Sequence, residues 1–276
     1  MPFSSFGEAA AGDTIKGPYS DYDAALTALR ADAAAADGDV YQLNNDLVFI
    51  AYVSEGPGIL IPSDLYDRVS GYVSNASGDS YFTTADSKAV LISRGWTITE
   101  NNEGTVTGGS GSAFRLDAGA NIGGSSDGAA LGFTPSSNQT SVICLVKMQP
   151  ISGTLNGQSI ACGIYTGADL FRVCCTDGSN GSFSVVQSGT SNLSAAIGKI
   201  TETNATWFIA YCDTTTTTNV VYFRRLESKP EETLAAEVSD LPSTTNSLMP
   251  YMRCFQGSIG SQTVIDVYES HALVTT

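Results

Sequence analysis

The spacing of hydrophobic positions along this chain changes at Trp96. Ahead of it, Tyr22, Ala25, Leu26, Leu29, Ala33 and Ala36 recur at helical spacing and predict an amphipathic helix over residues 21–36. Ser20 is placed to cap that helix, with Asp23 three residues on in a capping-box spacing, and Asp37-Gly38 supplies its stop. Val40–Leu43 and Leu47–Val53 read as strands of a hairpin joined through Asn44-Asn45-Asp46. A short strand over Ile59–Ile61 stops at Pro62, residues 63–66 can form a helical turn, and a second short helix is expected over 86–94, ending at Gly95. Residues 1–19 are polar and Gly-rich, and read as an extended arm that orders on a partner.

From Trp96 onward helical stripes vanish. Short runs rich in β-branched and aromatic residues alternate with Gly, Ser, Asn and Thr clusters. Strands are expected near 96–99, 113–117, 128–133, 141–149, 158–165, 169–176, 182–188, 206–212, 219–226 and 263–268. Thr214–Thr218 reads as a hairpin loop, and residues 227–247 as a polar wrap over the surface. The fold class is mainly β, a sandwich or jelly roll rather than a parallel sheet. The expected division is an arm over 1–19, a small α+β domain over 20–95 and a β-sandwich over 96–276.

Composition sharpens this picture. Only 15% of the residues are charged, yet the net charge is −15, and the excess of acid is steeper in residues 1–103 than beyond. Such a surface repels phosphate backbones, so nucleic acid is not an expected partner. No run is long and apolar enough to insert into a membrane, and Met1-Pro2-Phe3 begins no secretory leader. Cys144, Cys162, Cys174, Cys175, Cys212 and Cys254 sit mostly in apolar strand contexts and read as reduced, buried thiols.

No residue is assigned a catalytic, cofactor-binding or metal-binding role, and the chain is expected not to be an enzyme. His271, the single histidine, is read as a surface or edge residue past the closing strand. Gly108–Ser112 and Gly123–Ser126 lack the strand–loop–helix setting and the Lys of a phosphate cradle. Asp127, Asp169, Asp177 and Asp213 are rim acids without a calcium-loop spacing. Glu231-Glu232 lies in a polar loop, not on a strand that could hold paired carboxylates across a glycosidic bond. Trp96 and Trp207 are expected in strands as core residues, with Trp207, Ile209 and Tyr211 on one buried face.

Three segments resemble the laminin-G/concanavalin-like fold: Ala205–Asp213 followed by Val220–Leu226, the closing segment Val264–Leu273, and Gly111–Asp117. Glu227-Ser228 departs from that family's usual glycine, and the Glu-x-Asp-x-Glu strand of related glycoside hydrolases is absent. The front part, with Ala24–Ala36, Gly38-Asp39 and Leu60-Ile61-Pro62, resembles modules of tailed-bacteriophage virion proteins. These resemblances imply a virion structural protein, of the capsid decoration or tail, fibre or baseplate kind. Its partners would be other virion proteins and copies of itself, and its sandwich would be able to recognise a host-surface glycan. The alternative is a stand-alone carbohydrate-binding module or adhesin.

Overall fold

The structure is a computed structural model. It describes residues 15–53, 56–66, 80–119, 128–133, 141–152, 160–166, 171–176, 182–187, 197–199, 205–213, 219–230, 234–238, 248–255 and 263–275. The chain divides into two compact units, Met1–Ser74 and Asn75–Thr276.

In the first unit, β1 (Lys16–Tyr19), β2 (Val40–Leu43), β3 (Val48–Tyr52) and β4 (Ile59–Pro62) form a sheet in that order. The expected hairpin is there, and its turn is closed by Asp46 at φ 64°. Residues 63–66 are helical, as expected. Part of the presumed arm is not an arm: β1 pairs in parallel with β2 of its own chain.

The helix α1 is shorter than the periodicity implied, running Tyr22–Ala31, and its N-cap is Asp21 rather than Ser20. Asp32 turns extended because its carboxylate binds the Lys16 ammonium at 2.7 Å and the Ala34 backbone N–H at 2.9 Å. Asp39 holds the same ammonium at 2.7 Å, so Ala33 and Ala36 lie on the stretch that wraps this ion cluster. Hydrogen bonds to Asp32 and Asp39 hold the Lys16 ammonium well above its usual pKa. Tyr22, Ala25, Leu26 and Leu29 are buried within the chain itself. Tyr22 Oη donates to the Leu60 carbonyl at 2.9 Å, and the Tyr22 ring meets Phe49 edge-on at 5.2 Å. The first part of the apolar stripe is therefore used internally, whereas Ala33 and Ala36 are exposed.

The second unit begins earlier than Trp96. It contains β5 (Ser80–Thr83) and α2 (Lys88–Ser93), then β6 (Trp96–Asn101), β7 (Thr105–Thr107), β8 (Phe114–Asp117) and β9 (Gly128–Phe133). Next come β10 (Ser141–Ser152), β11 (Ile160–Thr166), β12 (Phe171–Thr176), β13 (Ser182–Gln187) and β14 (Ile197–Lys199). The last are β15 (Thr206–Asp213), β16 (Asn219–Arg225), β17 (Leu234–Val238), β18 (Leu248–Phe255) and β19 (Val264–Thr275). β5 pairs with β19, and Phe82 and Leu91 join the core, which is why residues 80–95 belong with the sandwich.

An eight-stranded sheet runs β17-β16-β15-β10-β19-β8-β7, with β5 as a second partner on the β19 edge. A seven-stranded sheet runs β14-β13-β12-β11-β18-β9-β6. Every strand pair within both is antiparallel, and the two pack face to face as a β-sandwich around one core. One sheet gives Phe82, Phe114, Leu116, Val142, Cys144, Val146, Phe208, Ala210, Phe223 and Ile265 to the shared core. The other gives Trp96, Leu131, Phe133, Cys162, Ile164, Met252 and Cys254. Trp96 Nε1 donates to Ser80 Oγ at 2.9 Å, which satisfies a buried indole N–H.

The loop expected over 227–247 carries β17, and Pro250 lies inside β18. A proline removes a ladder donor, but β9 pairs with β18 only from Tyr251 onward, so Pro250 lies past the end of that partner. The loop Thr214–Thr218 lies outside the described residues.

Candidate functional site

Side chains alternate across a strand, so the eight-stranded sheet has a second face turned away from the core. The pairing registers place its residues in rows. One row is Thr83, Glu269, Lys147 and Trp207. The next is Tyr81, His271, Leu145, Ile209 and Arg224. A third is Leu273, Ile143, Tyr211 and Tyr222. Towards β8 the same face carries Arg115, Asp266, Gln149 and Tyr268.

Much of this outer face is withdrawn from solvent. Arg224 is 1% exposed, His271 3% and Glu269 8%, whereas Tyr81, Lys147 and Tyr222 are half-buried. The expected shared face of Trp207, Ile209 and Tyr211 is indeed buried, but it is this outer face; their neighbours Phe208 and Ala210 face the second sheet.

His271 is not a surface histidine. It lies within β19, and its Nε2 is 2.6 Å from Glu269 Oε1. Its ring stacks on Tyr81 at 5.8 Å, and the Arg94 guanidinium lies 4.2 Å from the centre of the Tyr81 ring. Arg94 also donates to Asp86 Oδ2 at 3.0 Å. Across the sheet, the Lys147 ammonium lies 6.0 Å from the Trp207 ring centre, and Tyr211 and Tyr222 stack at 4.3 Å. Alternating charge and ring thus crosses from Asp86 and Arg94 through Tyr81, His271, Glu269 and Lys147 to Trp207. Nearer β8, Arg115 grips Asp266 through two hydrogen bonds of 2.8 and 2.9 Å, and Tyr268 Oη donates to Gln149 Oε1 at 2.7 Å.

Desolvating charged groups costs free energy that apolar residues of the same volume would not cost. This face buries Arg224, Glu269 and His271, with Lys147 half-buried beside them, among the aliphatic Ile143, Leu145, Ile209 and Leu273. Sequence reasoning passed over the cluster, although Lys147 interrupts the apolar run Val142–Met148 and so marks it.

The other sequence candidates do not gather here. Gly108–Ser112 is a turn with φ between 55° and 107° at Gly108, Gly109, Ser110 and Gly111, folded onto the loop before α2 by the Ser110 N–H to Asp86 carbonyl bond of 2.8 Å. Gly123–Ser126, Asp127, Asp169, Asp177 and Glu231-Glu232 lie outside the described residues, and Asp213 ends β15. Cys144, Cys162 and Cys254 are core thiols in no disulfide, and burial pushes the pKa of Cys144 and of Cys254 up to about 12. Among the described residues no three His, Cys, Asp or Glu side chains group as metal ligands, and no helix is long and apolar enough to cross a membrane.

No family model matches the chain, and no curated protein does. Solved structures resemble it in backbone shape. Alginate lyase Aly36B is 12% identical, covering 72% of this chain and 97% of its own, at a TM-score of 0.48. The CBM2 module of Lactobacillus casei BL23 phage J-1 evolved Dit is 10% identical, covering 71% and 95%, at 0.46. Lectin UEA-II, complexed with galactose, is 7% identical, covering 73% and 100%, at 0.45.

Proposed function

We propose that this chain is a non-enzymatic structural component of a tailed-bacteriophage virion, and that its sandwich recognises a saccharide through the outer face of the eight-stranded sheet. The observation that carries the recognition role is the row of charged and aromatic side chains on that face, of which Tyr81, Lys147 and Tyr222 remain partly open to solvent. Aromatic rings and fixed polar groups on a rigid sheet are what sugar recognition needs, because sugars present both C–H faces and hydroxyls. The front module, similar in sequence to virion modules, supports the structural role.

Binding fits this face better than hydrolysis. Sugar hydrolysis calls for two carboxyl groups at a set separation, one as acid and one as base or nucleophile. Here Asp266 is clamped by Arg115 and Glu269 is bonded to His271. A glycan array probed with the full chain and with Lys147→Ala and Tyr222→Ala tests the reading. Saccharide signals that both substitutions weaken are expected. Signals unaffected by either would remove this face from recognition. Mass spectrometry of purified particles tests the virion role, and absence of the chain from them would leave a stand-alone binding module.

A further inference from the structure

We infer that two ion pairs, Asp86–Arg94 and Glu100–Lys88, stopper the open side of the eight-stranded sheet, so that the edges of β5 and β7 cannot add a strand from a second copy of this chain. On that side, among the described residues, β5 pairs only with β19 and β7 only with β8. An unpaired edge offers main-chain donors and acceptors to any extended segment, and a two-fold contact lets a strand pair with its own copy. In β5 the groups of Tyr81 and Thr83 that turn away from β19 are already engaged. The Tyr81 carbonyl accepts from Arg94 Nη1 at 3.1 Å. The Thr83 N–H donates to Asp86 Oδ2 at 2.8 Å, and the Thr83 carbonyl accepts from the Asp86 N–H at 3.1 Å. Arg94 and Asp86 in turn bind each other at 3.0 Å. The arrangement repeats at β7, where the Val106 N–H donates to Glu100 Oε1 at 2.7 Å and Lys88 holds the same oxygen at 3.1 Å.

One short element supplies both cations. Lys88 opens α2 and Arg94 is its C-cap, so the helix sets one cation against each edge. The Gly108–Ser112 turn, which lacks the setting of a phosphate cradle, holds the acid half in place. Its Ser110 N–H donates to the Asp86 carbonyl at 2.8 Å, and its Gly111 N–H to the Thr84 carbonyl at 2.6 Å. A Cβ at Gly109 would stand 2.5 Å from the Asp86 carbonyl oxygen, so glycine lets the turn close on this loop. Stability does not account for the placement of the pairs. Side chains as exposed as those of Lys88 and Glu100, at 39% and 43%, add little to folding free energy when they pair, and water could satisfy the same edge groups. Water does not exclude an incoming strand. A carboxylate on an edge N–H does, because its charge must be desolvated before that N–H can pair elsewhere. The bonds from Val106 and Lys88 hold the Glu100 carboxyl below its usual pKa, so this stopper stays charged at neutral pH.

The test is sedimentation equilibrium of the full chain from micromolar to millimolar concentration, with circular dichroism to check the fold of each variant. Asp86→Ala combined with Arg94→Ala removes one charge of each sign, so the net charge of −15 is kept and a change in overall repulsion plays no part. This variant should self-associate at least about tenfold more tightly than the unmodified chain. Hydrogen exchange at its Thr83 amide should slow as concentration rises, because that N–H enters the contact. Should the variant not fold, Lys88→Ala with Glu100→Ala, both at side chains more than a third exposed, makes the same test at β7, read at the Val106 amide. A folded variant that associates no more tightly than the unmodified chain overturns the inference. Association that leaves exchange at the opened edge unchanged overturns it as well, because the copies then meet elsewhere.

Discussion

The two faces of the eight-stranded sheet share strands and register, and much of each is buried, yet they differ in chemistry. Phe208 faces the second sheet at 1% exposure, and its neighbour Trp207 faces outward at 5%. Inward, the pairs around them are Val146, Ala210 and Phe223; outward they are Lys147, Ile209 and Arg224. Burial by itself therefore does not distinguish the inner from the outer face of this sheet. What distinguishes them is whether the buried atoms are ones that water would have held more cheaply.

The largest effect should come from a cut that removes part of the inner face. A fragment of residues 75–276 should fold, while one of residues 96–276 should show no cooperative thermal transition. The shorter fragment lacks Phe82 and Leu91, whose burial is worth several kcal/mol of a total near 5–15 kcal/mol. A cooperative melt from the shorter fragment would restore a boundary at Trp96. Next in size, Phe208→Ala should cost about 3–5 kcal/mol in urea unfolding and leave saccharide affinity unchanged.

The inner thiols give a smaller, pH-dependent effect. Cys144 and Cys254 each have a folded pKa raised from 9.0 to about 12 by burial. Between those values the unfolded chain releases protons that the folded chain keeps, so stability present below pH 9 should fall as pH rises towards 12. Each thiol contributes at most about 1.4 kcal/mol per pH unit. The double substitution to Ala should flatten this alkaline slope, and an unchanged slope would assign it to other groups. The smallest effect on stability belongs to the outer face. Lys147→Met should change unfolding free energy by about 1 kcal/mol or less, in either direction, while weakening the saccharide signals that the proposed recognition role predicts. A loss as large as that of Phe208→Ala would make the outer face a second core and end the contrast.

The strands expected from alternation all have counterparts in the sandwich, because runs rich in β-branched and aromatic residues suit a pleated, half-buried surface. Strands β7 and β14 are three residues long and leave too little pattern to read. Strand β18 was hidden by Pro250. His271 was misplaced for a subtler reason. Ile265 and Val267 point inward, but so do Ser270 and Ala272, because the register slips at Tyr268. A period-2 reading loses its phase at that slip, so the strand seemed to stop there and the histidine to lie beyond it. The outer site was illegible for a related reason: alternation shows that residues 207, 209 and 211 share a face, not which face meets the second sheet.

Strand β19 carries a kinetic consequence. It pairs with β10 on one edge and with both β8 and β5 on the other, so it joins segments far apart in the chain; Arg115 and Asp266 are separated by 151 positions. Loops of that size must close before any of these pairings is rewarded, which places the sandwich among slow folders, on the millisecond-to-second scale or beyond. Until β19 arrives, β10, β8 and β5 expose unpaired backbone edges to any passing strand. During synthesis, pairing of those edges with other chains thus competes with native pairing until β19 is made.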